Sequence, residues 1–446
     1  MVLPATVSSF KLYVNEGVVQ AQETASSLHA YPSNVVLNGG TIKDPNNIYS
    51  YSTNKANIEV PEGSEGTWYM DERCTYSGKL TGEGILNAYA TGPRMSITGS
   101  WDGFKGTLNA FGQKTGSYDP EFTFNNAGMR YAKLNVAAGL SLTNSNKAFN
   151  LGSLSGSGTL KGSGRYTIGY RDESGSFSGA FSETSFTKVG SGLWTLKRNE
   201  ASTYNAGIYV KGGILNLSDA STTTTFFGTQ SVTVSDSGRL AGKAYIANIY
   251  VEKGGILAPG DATSSNPNGE MKGGNIIVKE GGIAFFHANT AAVRTYLTVT
   301  GTLTINGKVV LEKRPAYKPT LGSSIILWTC NTFSGTPTVE LPDISDLISE
   351  AAPYGLKWDI SELATVKGTI KVVARTADDV TGISQIAAGD QVVATVYTAE
   401  GRYLGKVSAE KSAISQVLKQ EGYPHGIYIV NMKANGFNEV TKVAVK

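Results

Sequence analysis

Three histidines supply all the imidazole in this chain, His29, His287 and His425, and they lie far apart. None has a serine, cysteine or carboxylate at a spacing that serves nucleophilic or general-base catalysis. No G-x-S-x-G, H-E-x-x-H, C-x-x-C or phosphate loop is present, and Gly273-Gly-Asn-Ile276 lacks the lysine a phosphate loop needs. Each histidine is read as a solvated or satisfied neutral imidazole, and no catalytic residue is assigned. Carboxylates make the next candidates. Sugar-acid chemistry needs clustered Asp or Glu for Ca²⁺ or acid–base work, with Arg or Lys for the uronate. The nearest cluster is Asp71-Glu-Arg73 within Tyr69–Cys74. Consecutive strand residues point to opposite faces, so Asp71 and Arg73 are expected to share one face as a self-paired surface turn. Arg171-Asp-Glu173 is read as a solvated turn, and the lone acids Asp219 and Asp261 as Asx turns. The calcium-binding repeat G-G-x-G-x-D-x-U-x is absent, so neither a metal nor any other cofactor is expected.

Aromatic residues carry the remaining functional signal. The chain has 22 tyrosines and 5 tryptophans, clustered at Trp68-Tyr69, at Trp101-Asp102 with Phe104, and from Tyr166 to Tyr170. Exposed aromatic faces stack on sugar rings, which makes Trp68, Trp101, Tyr166 and Tyr170 the candidate glycan contacts. The competing reading places such rings inside a stack of strands as core.

The elements that must position these residues are announced by glycine. A Gly-Gly or Gly-x-Gly followed by a strand-forming couplet recurs as Asn38-Gly-Gly-Thr-Ile42, Gly82-Glu-Gly-Ile-Leu86, Gly156-Ser-Gly-Thr-Leu160, Lys211-Gly-Gly-Ile-Leu215, Lys253-Gly-Gly-Ile-Leu257 and Glu280-Gly-Gly-Ile-Ala284. Each reads as a tight turn feeding a short strand, and loosely regular copies indicate a β-solenoid. Segments such as Ser231-Val-Thr-Val-Ser235 and Tyr296–Ile305 alternate apolar and hydroxyl residues, the period of a half-buried strand. From Leu215, comparable positions fall at Leu240, Leu257, Ala284 and Leu303, steps of 25, 17, 27 and 19 residues. A three-sided coil needs about that many residues per rung. A longer repeat also shows: Ser77–Leu86 aligns with Gly152–Leu160, and Gly103–Leu108 with Ser176–Phe181, offsets of 74 and 73 residues. Two matched landmarks at nearly one offset predict a duplicated block of several rungs.

Composition agrees. The 53 glycines among 446 residues exceed the average usage of about 7 %, while charged residues are sparse at 17 %. A net charge of +3 with no basic run excludes nucleic acid as an expected partner. Cys74 and Cys330 stand too far apart along a solenoid to bond, and both are read as small core residues. The longest apolar runs, such as Ser324-Ile-Ile-Leu-Trp328, are strand length, so no membrane span is expected. Met1-Val-Leu-Pro-Ala-Thr6 lacks the basic start and apolar stretch of a signal peptide, which suggests a piece of a larger protein.

Phe186-Thr-Lys-Val-Gly-Ser-Gly-Leu-Trp-Thr-Leu196, followed by Ser202–Asn216 with its Tyr204 and Gly212-Gly213, resembles the autotransporter-associated β-strand repeat, K-x-G-x-G-x-[LW]-x-L, then Tyr-x-x-Gly, then G-G-x-L. Leu341-Pro-Asp-Ile344, Gly355–Leu363 and Gly368-Thr-Ile-Lys-Val372 resemble the closing segment of such passengers. The resemblance spans roughly residues 35 to 375 and implies a right-handed parallel β-helix, secreted or displayed at the surface, without known catalysis. Val393–Arg402, Gly426-Ile-Tyr-Ile-Val430 and Thr441–Lys446 resemble the C-terminal sorting domain of the Bacteroidota type IX secretion system, though the usual Y-P-N-P opening is missing. That implies a small antiparallel β-sandwich which engages the secretion machinery or caps the solenoid.

The reading is an all-β chain: N-terminal opening and capping strands over residues 1–34, a single-stranded parallel β-helix over 35–376, a linker at 377–382 and an Ig-like β-sandwich over 383–446. Its expected work is adhesion, display or spacing at the outer cell surface or after secretion, with a polysaccharide or cell-surface glycan as the possible partner. Two alternatives stay open: an accessory carbohydrate-binding module of a larger polysaccharide-degrading protein, and a pectin-type lyase or hydrolase.

Overall fold

A computed structural model describes residues 2–3, 10–21, 31–44, 52–114, 117–145, 148–219, 223–376, 379, 389–434 and 437–446. The chain is all-β, a β-solenoid of about 13 turns with a small C-terminal antiparallel sheet of four strands. It divides into two compact units, Met1–Pro319 with Ser323–Pro342 and Asp359–Lys371, and Thr320–Gly322 with Asp343–Trp358 and Val372–Lys446. Among the described residues no helix is long and apolar enough to cross a membrane, which says nothing of strands.

Each solenoid turn supplies up to three strands, and each strand pairs in parallel with its counterpart one turn away. On the first side, Glu65–Met70 pairs with Ile85–Ala90, which pairs with Thr107–Gly112. On the second, Cys74–Tyr76, Ser96–Ile97 and Glu121–Phe124 follow one another. On the third, Asn57–Val60 meets Leu80–Gly82. The N-terminal strand Lys11–Val14 already pairs in register with Asn34–Leu37, so it is a rung of the stack itself.

Glycine couplets mark the corners. Gly82 and Gly156 both adopt positive φ, 102° and 107°, where a side chain is strained. The step from Leu215 to Leu240, Leu257 and Ala284 is realised residue for residue. The last expected position is not: Ala284 pairs with Val309, while Leu303 pairs with Ile276 on another side. The 73–74-residue repeat is likewise no rung-for-rung duplication. Leu86 and Leu108 face each other on the first side, whereas Leu160 and Phe181 face each other on the second. The likeness arises because every corner makes the same demand, a glycine turn followed by an inward apolar residue.

Strand residues alternate between interior and surface, as in the exposed–buried repeat of Glu65–Met70. The interior of the early turns is aromatic. Trp68 meets Tyr76 edge-on at 5.1 Å, Trp101 meets Phe124 at 5.5 Å, and Phe124, Phe149 and Tyr166 continue at 4.9 and 5.7 Å. Lys188, the lysine that opens the K-x-G-x-G motif, is buried and donates to the carbonyls of Val189, Gly190 and Gly212 at 2.6, 3.1 and 3.2 Å. It ties the corner of one turn to the next, and burial lowers its pKa to about 8. Lys188→Met removes the donor and leaves these carbonyls unmatched, so it should cost about 2 kcal/mol in urea denaturation. A loss within error of zero would contradict this role.

The second unit holds a sheet in the order Tyr403–Glu410, Gln391–Tyr397, Gly426–Ala434, Phe437–Val445, all antiparallel. The resemblance to the sorting domain implies a sandwich of two sheets. Among the described residues one face is instead covered by the helix Ile414–Gln420, whose Ile414 and Leu418 join Val392, Ala394, Val396, Val430 and Met432 in the core. The expected linker 377–382 lies outside the described residues except for Asp379, which accepts two hydrogen bonds from Lys357 Nζ at 2.6 and 2.7 Å.

Candidate functional site

Strand parity decides which aromatic residues reach solvent. Trp68 and Trp101 are each only 2 % exposed, and their rings lie 6.4 Å apart inside the solenoid. Tyr166 is fully buried, and its hydroxyl donates to Leu142 O and Lys161 O at 3.1 and 2.8 Å. Burial pushes that phenol well above its ordinary range. These three candidate glycan contacts are core residues and cannot stack on an external sugar. Tyr170 is 39 % exposed, with the Arg130 guanidinium 5.0 Å from its ring centre.

The surface aromatics of the first side begin one residue past Trp68. Tyr69 faces outward and stacks on Tyr89 at 4.7 Å, which stacks on Phe111 at 4.8 Å. One turn on, where Ala110 O accepts from the Ala137 N–H, the column continues as Ala137. The outer face of Phe111 is therefore not covered by a further ring of this ladder.

Beside the rings runs a column of amides and hydroxyls. Thr41 pairs with Thr67, then Asn87, Asn109, Asn135 and Ser155 follow, each directly opposite the last. The pairing of Gly156 with Phe177 carries the column to Ser176, which faces Thr195, which faces Asn216. Asn87 Nδ2 donates to Glu65 Oε1 at 2.7 Å, Asn109 Nδ2 to Asn87 Oδ1 at 3.0 Å, and Asn135 Nδ2 to Asn109 Oδ1 at 3.5 Å. At Asn216 the column is closed: its amide donates to Asp261 Oδ1 at 2.9 Å and accepts from the Ala262 N–H at 3.0 Å.

A shallow depression of about 330 Å³ opens on this face between Asn109, Lys133, Asn135, Ser153, Ser155 and Glu173. Lys133 Nζ lies 3.2 Å from Glu173 Oε2, and Arg171 donates to Glu173 Oε1 at 3.0 Å. These two cations hold the Glu173 carboxyl below its usual pKa against the opposing effect of burial. Arg171 also reaches Lys105 O and Tyr131 O at 2.8 and 2.5 Å, so it is a strut across successive turns and not the solvated turn expected. Tyr131 itself, two residues before Lys133, is 46 % exposed.

The acidic cluster at 71–73 does not form the open surface turn expected of it. Asp71 and Glu72 are both buried, and Arg73 Nε lies 3.6 Å from Glu72 Oε1, so Asp71 and Arg73 do not pair on an open face. The Asp71 N–H donates to the Tyr76 hydroxyl at 2.7 Å, and that hydroxyl donates to the buried carboxylate of Asp44. Burial raises the Asp44 pKa to about 6, although the hydrogen bonds from the Tyr76 hydroxyl and the Asp71 N–H oppose it. His287 Nδ1 is 3.6 Å from Glu312 Oε2 on an outward strand, and burial lowers its pKa. His29 lies outside the described residues and His425 is exposed. Both cysteines are free thiols; Cys74 is buried and pushed up to about 12, whereas Cys330 is only half-buried. Among the described residues no three His, Cys, Asp or Glu side chains gather as metal ligands.

No protein-family model and no curated protein matches this chain. The face that combines rings with amides is visible in the sequence once aligned by rung. Ile85-Leu-Asn-Ala-Tyr89, Thr107-Leu-Asn-Ala-Phe111 and Lys133-Leu-Asn-Val136 repeat one pattern, with the asparagine outward in all three and an aromatic outward two residues later in the first two. The tryptophans alone do not mark it, because they point inward.

Proposed function

We propose that this chain is a non-catalytic solenoid, secreted or held at the outer cell surface, that serves adhesion, display or spacing and contacts glycans along its first side. The observation that carries the reading is the outward pairing of the Tyr69–Tyr89–Phe111 ladder with the Asn87–Asn109–Asn135 ladder on adjacent columns. Aromatic rings contribute the apolar contact for a sugar face, and amides the hydrogen bonds for its hydroxyls. The absence of catalysis is supported by the condition of the acids: Asp71 and Glu72 are buried, and Glu173 is held by two cations. The C-terminal residues 383–446 are assigned to the type IX secretion machinery through Val393–Arg402 and Gly426–Val430, which form adjacent strands of one sheet. An accessory module of a larger polysaccharide-degrading protein would use the same ladder face.

A glycan array tests this. The chain should bind a polysaccharide, and Phe111→Ala should weaken binding about tenfold while leaving the melting temperature nearly unchanged. Trp101→Ala should do the reverse, lowering stability because a buried ring is lost. Binding that survives both Phe111→Ala and Tyr89→Ala would remove this face from consideration.

A further inference from the structure

We propose that the polar column of the first side is a track for a neutral, linear polysaccharide lying along the solenoid axis, with about one sugar per rung. This rests on the glycan-contact reading above and specifies its ligand.

The direction follows from hydrogen-bond capacity. An asparagine amide offers two N–H donors and an oxygen with two acceptor sites. In the ladder Asn109 spends one donor on Asn87 Oδ1 and one acceptor site on Asn135 Nδ2. One N–H and one acceptor site remain at that rung, the complement of a pair of sugar hydroxyls. The same remainder is left at Asn87 and Asn135, and the rung spacing of roughly 4.8 Å is close to the length of one pyranose in an extended chain. A polymer crossing the strands from rung to rung meets an amide at these three rungs and a hydroxyl of Thr41, Thr67, Ser155, Ser176 or Thr195 at the others. One laid along a strand would meet only one of these rungs.

The length follows from where the column is closed. Asn216 spends its amide on the 261–262 loop, and the next two positions, Ala241 and Ala258, are buried alanines. From Thr41 to Thr195 the open column spans eight rungs, or about 35 Å at roughly 4.8 Å per rung.

The charge class follows from the side chains at hand. No residue from Thr41 to Asn216 in the column is ionisable. A uronic-acid polymer would bring one carboxylate per sugar and call for a cation at nearly every rung. At the depression Lys133 is paired to Glu173, and Arg171 divides its donors among Glu173 and two backbone carbonyls. Hydroxyls, which need no counter-charge, match the column.

Titration calorimetry with cello- and manno-oligosaccharides of two to eight sugars, against oligogalacturonates of the same lengths, tests the proposal. For at least one neutral series, affinity should rise at least tenfold from dimer to hexamer and level off near eight, with the uronates at least tenfold weaker. Asn135→Ala, and Ser153→Trp, which fills the depression while leaving the amide row intact, should each reduce hexamer binding at least tenfold. Uronates preferred, with binding still lost in Ser153→Trp, would overturn the neutral class and leave the face standing. Affinity that stops rising at two sugars would overturn the axial direction. Binding indifferent to both variants, or no binding by any of the three series, would instead sink the glycan-face reading on which the proposal rests.

Discussion

Gly368→Ala is expected to destabilise the closing turn of the solenoid by about 3 kcal/mol, toward the upper end for overpacking. Gly368 sits directly opposite Trp328 where Lys367–Ala374 returns antiparallel along Ser324–Ser334, and a Cβ built there would overlap the indole. The ring has little freedom to retreat. Its Nε1 donates to Thr365 O at 3.0 Å, and Phe333 stacks on it at 5.5 Å with an 8° interplanar angle. Glycine opposite a large ring is thus a packing requirement, with no unusual φ involved. In a linear stack each rung is held by its neighbours, so the damage should stay near this end. Amide exchange should accelerate in 324–329 and 367–371 while the rungs around Phe149 and Leu151 keep their protection. A double substitution with Trp328→Leu should cost less than the sum of the single ones, because removing the indole relieves the clash that the alanine creates. Full additivity, or unchanged exchange in Gly368→Ala, would show that the ring yields freely.

Asp44 sets the second large expectation, a change of about 3 kcal/mol in relative stability between pH 4 and pH 7. Its pKa is about 6 in the fold against an ordinary 3.8. The raised value means the folded chain holds a proton that the unfolded chain has released. The associated stability is fully present below pH 3.8, declines as pH rises through 6, and is gone above it. A pKa raised by roughly two corresponds to about 3 kcal/mol between the two protonation states. Other carboxyls work in the opposite sense, since Glu173 and Asp261 are held below their usual range. The difference between Asp44→Asn and the parent isolates the effect: measured by urea titration, it should move by about 3 kcal/mol in favour of asparagine from pH 4 to pH 7. A difference that stays flat would mean Asp44 is ionised in the fold throughout that range.

Much of the architecture can be read from residues alone because solenoid corners and strands are locally dictated. A glycine couplet before Ile-Leu asks for a turn and then an inward apolar side chain, and the pairings of Leu215, Leu240, Leu257 and Ala284 honour it. Leu303 breaks the series because Thr302-Leu-Thr-Ile305 has the same alternation as any other side of the coil. Period-two alternation says that a residue is inward but not which of three walls it belongs to. The C-terminal strands are legible too, while the covering helix is not. Its seven residues, Ile414–Gln420, are too few to display a convincing helical period.

The candidate site divides along the same line. Composition already points to aromatics and amides as the available chemistry, and the repeated Leu-Asn-Ala triplets carry the ladder in plain sight. Which member of Trp68-Tyr69 meets solvent is settled by register, because a shift of one residue turns every side chain to the other face. The meeting of Arg171 with Lys105 across 66 residues, the closure of Asn216 by Asp261 across 45, and the overlap waiting at Gly368 depend on how turns of unequal length stack. The turn chemistry and inward–outward rhythm are local and so belong to the sequence. The continuous face, its open length and its charge balance arise only when distant rungs come into register, so the tertiary structure alone decides them.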